Sequence, residues 1–396
     1  MFGTFDAAVC GAGPAGSAAA CVLAGRGRKV AVLDRALFPR KKLCGGLLTW
    51  KTVRRLEAVF GLDEAALARE GLVDWSADTY ALIHRGRVMA RGRVPHPFLL
   101  VDRARLDHHL LLLAERAGAS VFPGVGVAQC SPGEGLVATT DGHEISAGYV
   151  IGADGANSRL RRALAAKSGQ DAERGRRAWR AGLARAVEFH LPRDEAPAPL
   201  RSLAEPQLHV GHVLAGYAWV FPGKDRLCVG MCGLEAGDRP LLEHFAEFTG
   251  LLGFDPGRIH LRAHPLPYGN WIAEPCCERL LLAGDAAGMV EPLLGEGIFY
   301  ALSSGAFAAS AVDQAMSRKD DPGRTYPALL ARHLLPELHG ADSLRNLFLK
   351  TVRLAGYAPF GLFMRLAARP LGELVHGHRS WRLLRRKAWD FDARDA

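Results

Sequence analysis

Thirty residues near the start of the chain constrain its fold more than any other stretch. Phe5 to Asp34 run as a short apolar strand, a glycine turn, a small-residue helix and a second strand. The strand is Ala7-Ala8-Val9-Cys10, and the turn Gly11-Ala12-Gly13-Pro14-Ala15-Gly16 carries glycine at its first, third and sixth places. Gly11 permits the sharp turn off the strand, Gly13 lets backbone approach a pyrophosphate, and Gly16 lets the following helix pack closely on the sheet. The helix expected over Ser17 to Ala24 aims its unpaired N–H groups and partial positive charge at that pyrophosphate. The second strand, Lys29-Val30-Ala31-Val32-Leu33, ends in Asp34, 18 residues past Gly16. That spacing is close to the roughly 20 residues expected for the acid that grips a ribose hydroxyl. A glycine turn alone is common, but strand, turn, helix, strand and terminal acid in succession read as a dinucleotide cradle.

At 396 residues the chain exceeds one ordinary core, so two or three domains are expected. Hydrophobic residues at 49% beside charged residues at 23% suit a globular protein. No apolar run is long enough for a membrane span. The first strand begins without a basic segment and apolar run before it, so a cytoplasmic location is expected. Eight cysteines, at 10, 21, 44, 130, 228, 232, 276 and 277, form no Cys-x-x-Cys pair and no Cys/His cluster of metal-binding spacing. This argues against a metal centre or a disulfide framework. The net charge of +9 suits an anionic partner, whether nucleic acid, phospholipid surface or phosphorylated substrate, and does not choose among them.

Beyond the cradle, Phe38-Pro39-Arg40-Lys41-Lys42-Leu43-Cys44-Gly45-Gly46-Leu47 is a basic loop closing on a glycine pair. It resembles the loop of the geranylgeranyl reductase family, flavoenzymes within the group that folds like p-hydroxybenzoate hydroxylase. There a Pro-Arg-x-Lys-x-Cys-Gly-Gly pattern passes beside the flavin. The resemblance implies an α/β chain with a discontinuous Rossmann-like FAD-binding domain, an inserted antiparallel β-sheet substrate domain and a C-terminal helical tail. Gly45 and Gly46 would let backbone approach a flat ring, and Arg40, Lys41 and Lys42 would neutralise phosphate or reduced flavin. Arg35, beside Asp34, and Ala15 join the cofactor-binding residues on the same ground.

Residues 73 to 100 alternate apolar and polar. Tyr80-Ala81-Leu82-Ile83 and Arg87-Val88-Met89-Ala90, separated by Arg85-Gly86, predict an antiparallel hairpin that begins the second domain. A helix follows from Val101-Asp102-Arg103, with Leu106, Leu110, Leu113, Ala114 and Ala117 on its apolar face. In related flavoproteins an arginine at the start of this helix reaches the cofactor. Arg103 holds the matching position, with Arg105 as the alternative. Glu144 to Ile151 returns to the first sheet and leads into Gly152-Ala153-Asp154-Gly155-Ala156-Asn157-Ser158-Arg159-Leu160. This run resembles the Asp-Gly motif of the same flavoproteins, in which the aspartate, here Asp154, helps to anchor the cofactor. The arginine-rich stretch 160 to 180 reads as a solvated surface, with a phosphate-facing one as the alternative.

From about 181 to 270 the pattern is strands and turns. In Gly216-Tyr217-Ala218-Trp219-Val220-Phe221-Pro222, alternation puts Tyr217, Trp219 and Phe221 on one face. An aromatic row of this kind is ordinarily core. It is also similar to the Tyr-x-Trp-x-Phe-Pro signature of geranylgeranyl reductases, which borders the substrate cavity, and a pocket is a core with a gap in it. A second cofactor motif follows in Arg279-Leu280-Leu281-Leu282-Ala283-Gly284-Asp285-Ala286-Ala287-Gly288, then Glu291-Pro292-Leu293-Leu294-Gly295-Glu296-Gly297-Ile298. It resembles the motif whose Gly-Asp pair, here Gly284-Asp285, binds the ribityl chain. The helix after Gly295, Gly297 and Ile298 there points its positive end at the flavin, where it favours the anionic reduced form. Pro292 is placed with Tyr217, Trp219 and Phe221 at the substrate pocket.

The tail reads as amphipathic helices over Leu329–Leu338, Leu344–Gly356 and Pro359–Leu366, ending in Arg379, Arg382, Arg385, Arg386 and Lys387 among Trp381, Leu383, Leu384 and Trp389. That mixture suits an anionic lipid surface, with a helical cap on the flavin domain as the plainer alternative. The expected division is 1–72, 101–165 and 275–317 for FAD, 73–100 and 166–274 for substrate, and 318–396 for the tail. The expected activity is reduction of carbon–carbon double bonds in a geranylgeranyl-type prenyl chain on a lipid, quinone or related isoprenoid, by non-covalently held FAD and with no nucleic-acid partner. The proton donor is Cys44, Tyr217 or water. The electron donor is open among NAD(P)H, ferredoxin and a quinol, since no second glycine fingerprint is present. An aromatic monooxygenase and a prenyl-lipid carrier with a structural flavin are the rival readings.

Overall fold

The computed structural model describes residues 3–167, 172–234, 239–255, 259–318 and 320–382. In the first sheet, strands Leu280–Leu282, Glu144–Gly152, Thr4–Cys10, Val30–Asp34 and Ser120–Pro123 lie side by side, each parallel to its neighbour. Parallel strands are covered on both faces, and this explains why Ala7 to Cys10 read as an unbroken apolar run: all four are fully buried. The covering helices include Pro14–Gly25, Arg103–Arg116 and Ile298–Arg318. The first of these begins at Pro14 rather than at the expected Ser17, because proline's missing N–H costs nothing in the first helical turn.

The second sheet takes its strands from two separate parts of the chain. Its order is Arg262–Pro267, Leu183–Pro192, Arg226–Gly233, Gly216–Pro222, Gln207–Val210, Val73–His84, Arg87–Val101 and Leu47–Leu48. All neighbours are antiparallel except Gln207–Val210 on Val73–His84. The expected hairpin is present and longer than its sequence signal. Its two-residue turn, Arg85-Gly86, has positive φ at both places, as the strand twist demands.

Helix Arg103–Arg116 buries Leu106, Leu110 and Ala114, as its spacing predicts, and with them Arg103 and Asp107. Leu113 and Ala117 are only half-buried. In the tail, the continuous helix expected over Leu329–Leu338 is instead two helices, Pro322–His333 and Leu335–Ala355. Pro336 cannot continue the first but suits the opening turn of the second. Helix Ala358–Val375 follows and packs on strand Arg87–Val101. No helix among the described residues is long and apolar enough to cross a membrane.

The tail closes back on the body of the protein. His376 Nδ1 accepts from the Trp50 amide at 2.9 Å, and the buried Glu337 accepts from the Ser380 hydroxyl at 2.7 Å and the Trp381 amide at 2.9 Å. Trp381 is buried and Arg379 pairs with Glu373, so these two residues belong to the cap rather than to a lipid-facing surface. Leu383, Leu384, Arg385, Arg386, Lys387 and Trp389 lie outside the described residues. The basic stretch also differs from its solvated reading at Arg161, whose guanidinium lies 3.6 Å from the Trp179 ring and donates to the Ala156 carbonyl.

Helices Pro14–Gly25 and Ile298–Arg318 meet at Gly305, where an added Cβ would stand 2.1 Å from the Ala15 carbonyl oxygen. Gly305→Ala is therefore expected to cost about 1–3 kcal/mol, the usual penalty for overpacking, seen as a lower urea midpoint. Gly25→Ala, with nothing within 4 Å of its new Cβ, should leave the midpoint unchanged or slightly raised.

Candidate active site

Segments separated by most of the chain meet around one cavity of about 700 Å³, between the two sheets. Gly13 and Ala15 come from the cradle, Asp34 and Arg35 from the end of the second strand, and Lys42, Cys44 and Gly45 from the basic loop. Arg103, Asp154 and Asp285 line it from further elements, as do Gly295, Gly297 and Ile298. Tyr217, Trp219 and Phe221 form one wall. Gly11, Gly16, Gly46, Gly284 and Pro292 are not among the residues that line it. Gly16 lies so close to the turn that an added Cβ would be 1.7 Å from the Gly11 oxygen. Gly46 has φ +70° and abuts the Val101 oxygen, so its freedom serves the turn into the second sheet rather than contact with a ring. Gly284 donates its amide to Ser304, and the buried Pro292 offers its carbonyl to Arg345.

Antiparallel register explains the composition of the wall, because residues directly opposite share a face. One cross-strand row is Arg262, Glu188, Gly230 and Trp219; a second is His264, Ala186, Cys232 and Tyr217; a third is His190, Cys228 and Phe221. The face is thus aromatic on one side and charged on the other. Gly230 has no side chain because the Trp219 indole lies across it, 2.2 Å from where its Cβ would be, and Gly45 likewise makes room for Phe221. None of Arg262, His264, Glu188, His190 and Cys228 sits in a motif that sequence reading singled out. Alternation gives the face of each strand, but not which distant strand lies beside it.

The charged side is cation-rich. Arg103 makes a two-pronged contact with the fully buried Asp107, at 2.9 and 3.0 Å, and Arg40 reaches the same carboxylate at 3.2 Å. Burial works against the Arg103 charge, yet Asp107 holds its pKa well above the ordinary arginine value. Arg105, the alternative, points away to Gly71 and Asp74 and pairs at the surface. Burial lowers the pKa of Lys42, which contacts His264. Burial and then the neighbouring cations push that imidazole down to about 3, keeping it neutral.

The acidic residues hold backbone in place. Asp34 accepts from the amides of Ala12 and Ala36, both at 2.8 Å, so it clamps the glycine turn as well as facing the cavity. Asp154 accepts from the Arg159 amide at 2.7 Å with one oxygen, while the other is buried without a partner. Glu296 pairs with the buried Lys51 at 2.6 Å and takes a hydrogen bond from Thr49. Glu291 accepts from the amides of Leu293 and Leu294 at 2.6 and 2.7 Å, and burial raises its pKa to about 7 against those bonds. The two carbonyls of this loop are held in turn, Leu294 by the Tyr217 hydroxyl and Leu293 by that of Tyr268. Tyr217 is therefore committed to the loop, and its proton is not free for a ligand.

Cys44 stands at the edge of the cavity. The Gly46 amide donates to its sulfur at 3.4 Å, Arg103 lies within hydrogen-bonding reach of it, and its own amide donates to Glu188 at 3.1 Å. All eight cysteines are free thiols.

The model of a family described as "FAD binding domain" matches residues 4–197. A menaquinone reductase of Mycolicibacterium smegmatis is 33% identical, aligned over 93% of this chain and 92% of its own. A geranylgeranyl diphosphate reductase of Rhodobacter capsulatus is 30% identical, over 78% of this chain and 74% of its own. Among solved structures, a geranylgeranyl bacteriochlorophyll reductase-like protein of Thermoplasma acidophilum matches with TM-score 0.72 at 20% identity, covering 96% of this chain and 93% of its own. A probable FAD-dependent monooxygenase of Pseudomonas aeruginosa matches with TM-score 0.65 at 18% identity, covering 89% and 99%. These two structures are likenesses of fold.

FAD fits the residues present. Gly13, whose Cβ position meets only the Arg40 guanidinium at 3.3 Å, can admit a pyrophosphate to the amides of the Pro14 helix, and the unpartnered Asp154 oxygen is a buried acceptor awaiting a donor. Asp285→Ala should leave a folded protein by circular dichroism whose 450 nm flavin absorbance per chain falls at least tenfold. Normal occupancy would place the cofactor elsewhere.

Proposed function

The chain belongs to the family of FAD-dependent oxidoreductases that includes menaquinone reductases and geranylgeranyl reductases, and from that premise we propose that it reduces carbon–carbon double bonds of a prenyl chain. The chain would be carried on a lipid, a quinone or a related isoprenoid. The supporting observation is the single cavity in which Cys44-Gly45 and the Tyr217–Trp219–Phe221 wall lie beside all the cofactor motifs. In this reading residues 1–72, 101–165 and 275–317 hold FAD, 73–100 and 166–274 hold substrate, and 318–396 cap them. FAD, when bound, supplies the hydride.

The protein's own residues supply the rest. An isolated trisubstituted alkene is a poor hydride acceptor, so a proton must reach it, and positive charge then develops at the more substituted carbon. Cys44 holds that proton at Sγ. The Gly46 amide and the Arg103 guanidinium, which reach the sulfur, stabilise the thiolate left behind. Trp219, 5% exposed, excludes water and offers a π face to the cationic carbon. The prenyl chain brings no polar handle near its double bonds, so affinity comes from buried apolar area at about 25 cal/mol per Å². Tyr217 positions the Gly295–Gly297 loop through Leu294.

We also propose peripheral contact with an anionic membrane through Arg385, Arg386 and Lys387; among the described residues, helix Leu335–Ala355 exposes Leu347 and Leu354 to 61% and 88%. Removing 383–396 leaves Trp381 in its socket. The truncated chain should bind vesicles of anionic lipid more weakly than the full chain, and the full chain's binding should fall with salt, screening being over about 8 Å at physiological strength. Equal binding to neutral and anionic vesicles would end this proposal.

The chemistry is tested by single turnover, with the flavin reduced chemically and oxygen excluded. Geranylgeranyl diphosphate or geranylgeraniol should reoxidise the enzyme and gain two daltons per bond reduced. Cys44→Ala should slow reoxidation about 100-fold or more, the low end of general-acid contributions, with FAD still bound. Trp219→Ala should chiefly weaken substrate binding or change which bond is reduced. An enzyme that stays reduced with every prenyl compound, yet hydroxylates an aromatic ligand when oxygen is admitted, would replace this reading with that of a monooxygenase.

A further inference from the structure

Each reduced double bond consumes a proton as well as a hydride, and the aromatic wall that keeps water from the alkene also keeps water from the acid. A second, smaller cavity of about 210 Å³ adjoins the first. Cys44 lines both, whereas His190 and Cys228 line only the smaller. Its walls are charged and its volume admits several waters, at about 30 Å³ each in the liquid.

Behind this cavity lies Glu188, fully buried on strand Leu183–Pro192. Its Oε1 accepts from the Cys44 amide at 3.1 Å and lies 3.3 Å from His190 Nε2; its Oε2 accepts from the Cys228 thiol at 3.8 Å. The Trp219 indole N–H reaches Cys228 Sγ at 3.4 Å, so one carboxylate ties the thiol loop to the aromatic wall. Facing Glu188 are His190 on its own strand, Cys228 on strand Arg226–Gly233, Arg262 opposite it on strand Arg262–Pro267, and Cys44 on the loop. The small cavity adds Lys41, Lys42, Arg103 and Arg226 against Asp74 and Asp102.

We propose that His190, held by Glu188, is the proton-supply residue of the site, returning a proton to Cys44 through the small cavity after each reduction. This rests on the reading of Cys44 as the acid. In the chemical step the Cys44 S–H bond breaks as a C–H bond forms on the alkene, leaving a thiolate. The His190 N–H proton then passes through water to Sγ, restoring the thiol, and the imidazole regains a proton from solvent. No electron moves in this return. Cys228, whose pKa burial and then Glu188 raise well above the ordinary thiol value, stays protonated and serves to position Glu188.

The assay is anaerobic, with holoprotein, excess dithionite and excess geranylgeranyl diphosphate or geranylgeraniol. The first turnover uses the proton already on Cys44, and later ones need resupply. Glu188→Gln and His190→Asn should slow the first turnover less than threefold and later ones at least tenfold, with a solvent deuterium isotope effect on the slow phase in addition to that of the Cys44 step. Added imidazole should restore His190→Ala. A readout without turnover is alkylation of Cys44 by iodoacetamide, located by peptide mass spectrometry. Removing the Glu188 charge should speed it severalfold, because the thiolate keeps Arg103 and loses a negative neighbour. Equal slowing of both phases, or no slowing with an unchanged alkylation rate, overturns the proposal. If Cys44→Ala itself leaves the first turnover intact, the failure lies in the acid assignment. If Cys44→Ala abolishes it while Glu188→Gln leaves the phases in their wild-type ratio, only the supply route fails.

Discussion

The close crossing of the Pro14 and Ile298 helices at Gly305 is the constraint on which the site depends. Both helices bring the positive ends of their dipoles to the same cavity, one beside Gly13 and the other beside Gly297. Two like partial charges at short range are unfavourable, and backbone against backbone contact at Ala15 leaves them no room to separate. An anion between them relieves that repulsion, and a dinucleotide brings two phosphates and a reducible ring to the gap. The buried ion pair of Lys51 with Glu296 then fixes the loop that opens the second helix, while Glu291, Tyr217 and Tyr268 hold its amides and carbonyls.

The second sheet faces this frame with a divided surface. Aromatic rings occupy the strand Gly216–Pro222, whereas Arg262, Glu188, His190 and His264 occupy the two strands at one edge of the sheet, with Arg226–Gly233 in between. Such a face can bury an apolar chain against its rings and keep ionised groups next to the reacting end. Glycine at 45 and 230 is what makes room for the rings, so the apolar side owes its shape to two residues without side chains.

What was legible in the sequence follows from distance along the chain. The cradle is local: Gly11, Gly13, Gly16 and Asp34 constrain one another within a single strand–helix–strand unit, and the structure brings them together as read. The face shared by Tyr217, Trp219 and Phe221 follows from strand periodicity alone. Glu188 was not legible, because its partners Cys228 and Cys44 stand 40 and 144 positions away and depend on sheet register. That Pro292 and Gly46 do not line the cavity was not legible for a related reason. A motif names residues that travel together, and only packing decides which of them face the ligand. Trp381 reads as an amphipathic anchor on composition, yet Glu337, some forty residues earlier, takes it into the interior.

The order in which these pieces occur along the chain has a consequence for biosynthesis. Gly13 is made long before Asp285, Gly295 and Gly297, and the loop that bears the last two is shored up by Lys51, whose helix is in turn met by His376. A nascent chain therefore carries half a cradle through most of its synthesis, with a parallel sheet still lacking the strand Leu280–Leu282. A cofactor can therefore meet its whole cradle only after the ribosome has passed this strand.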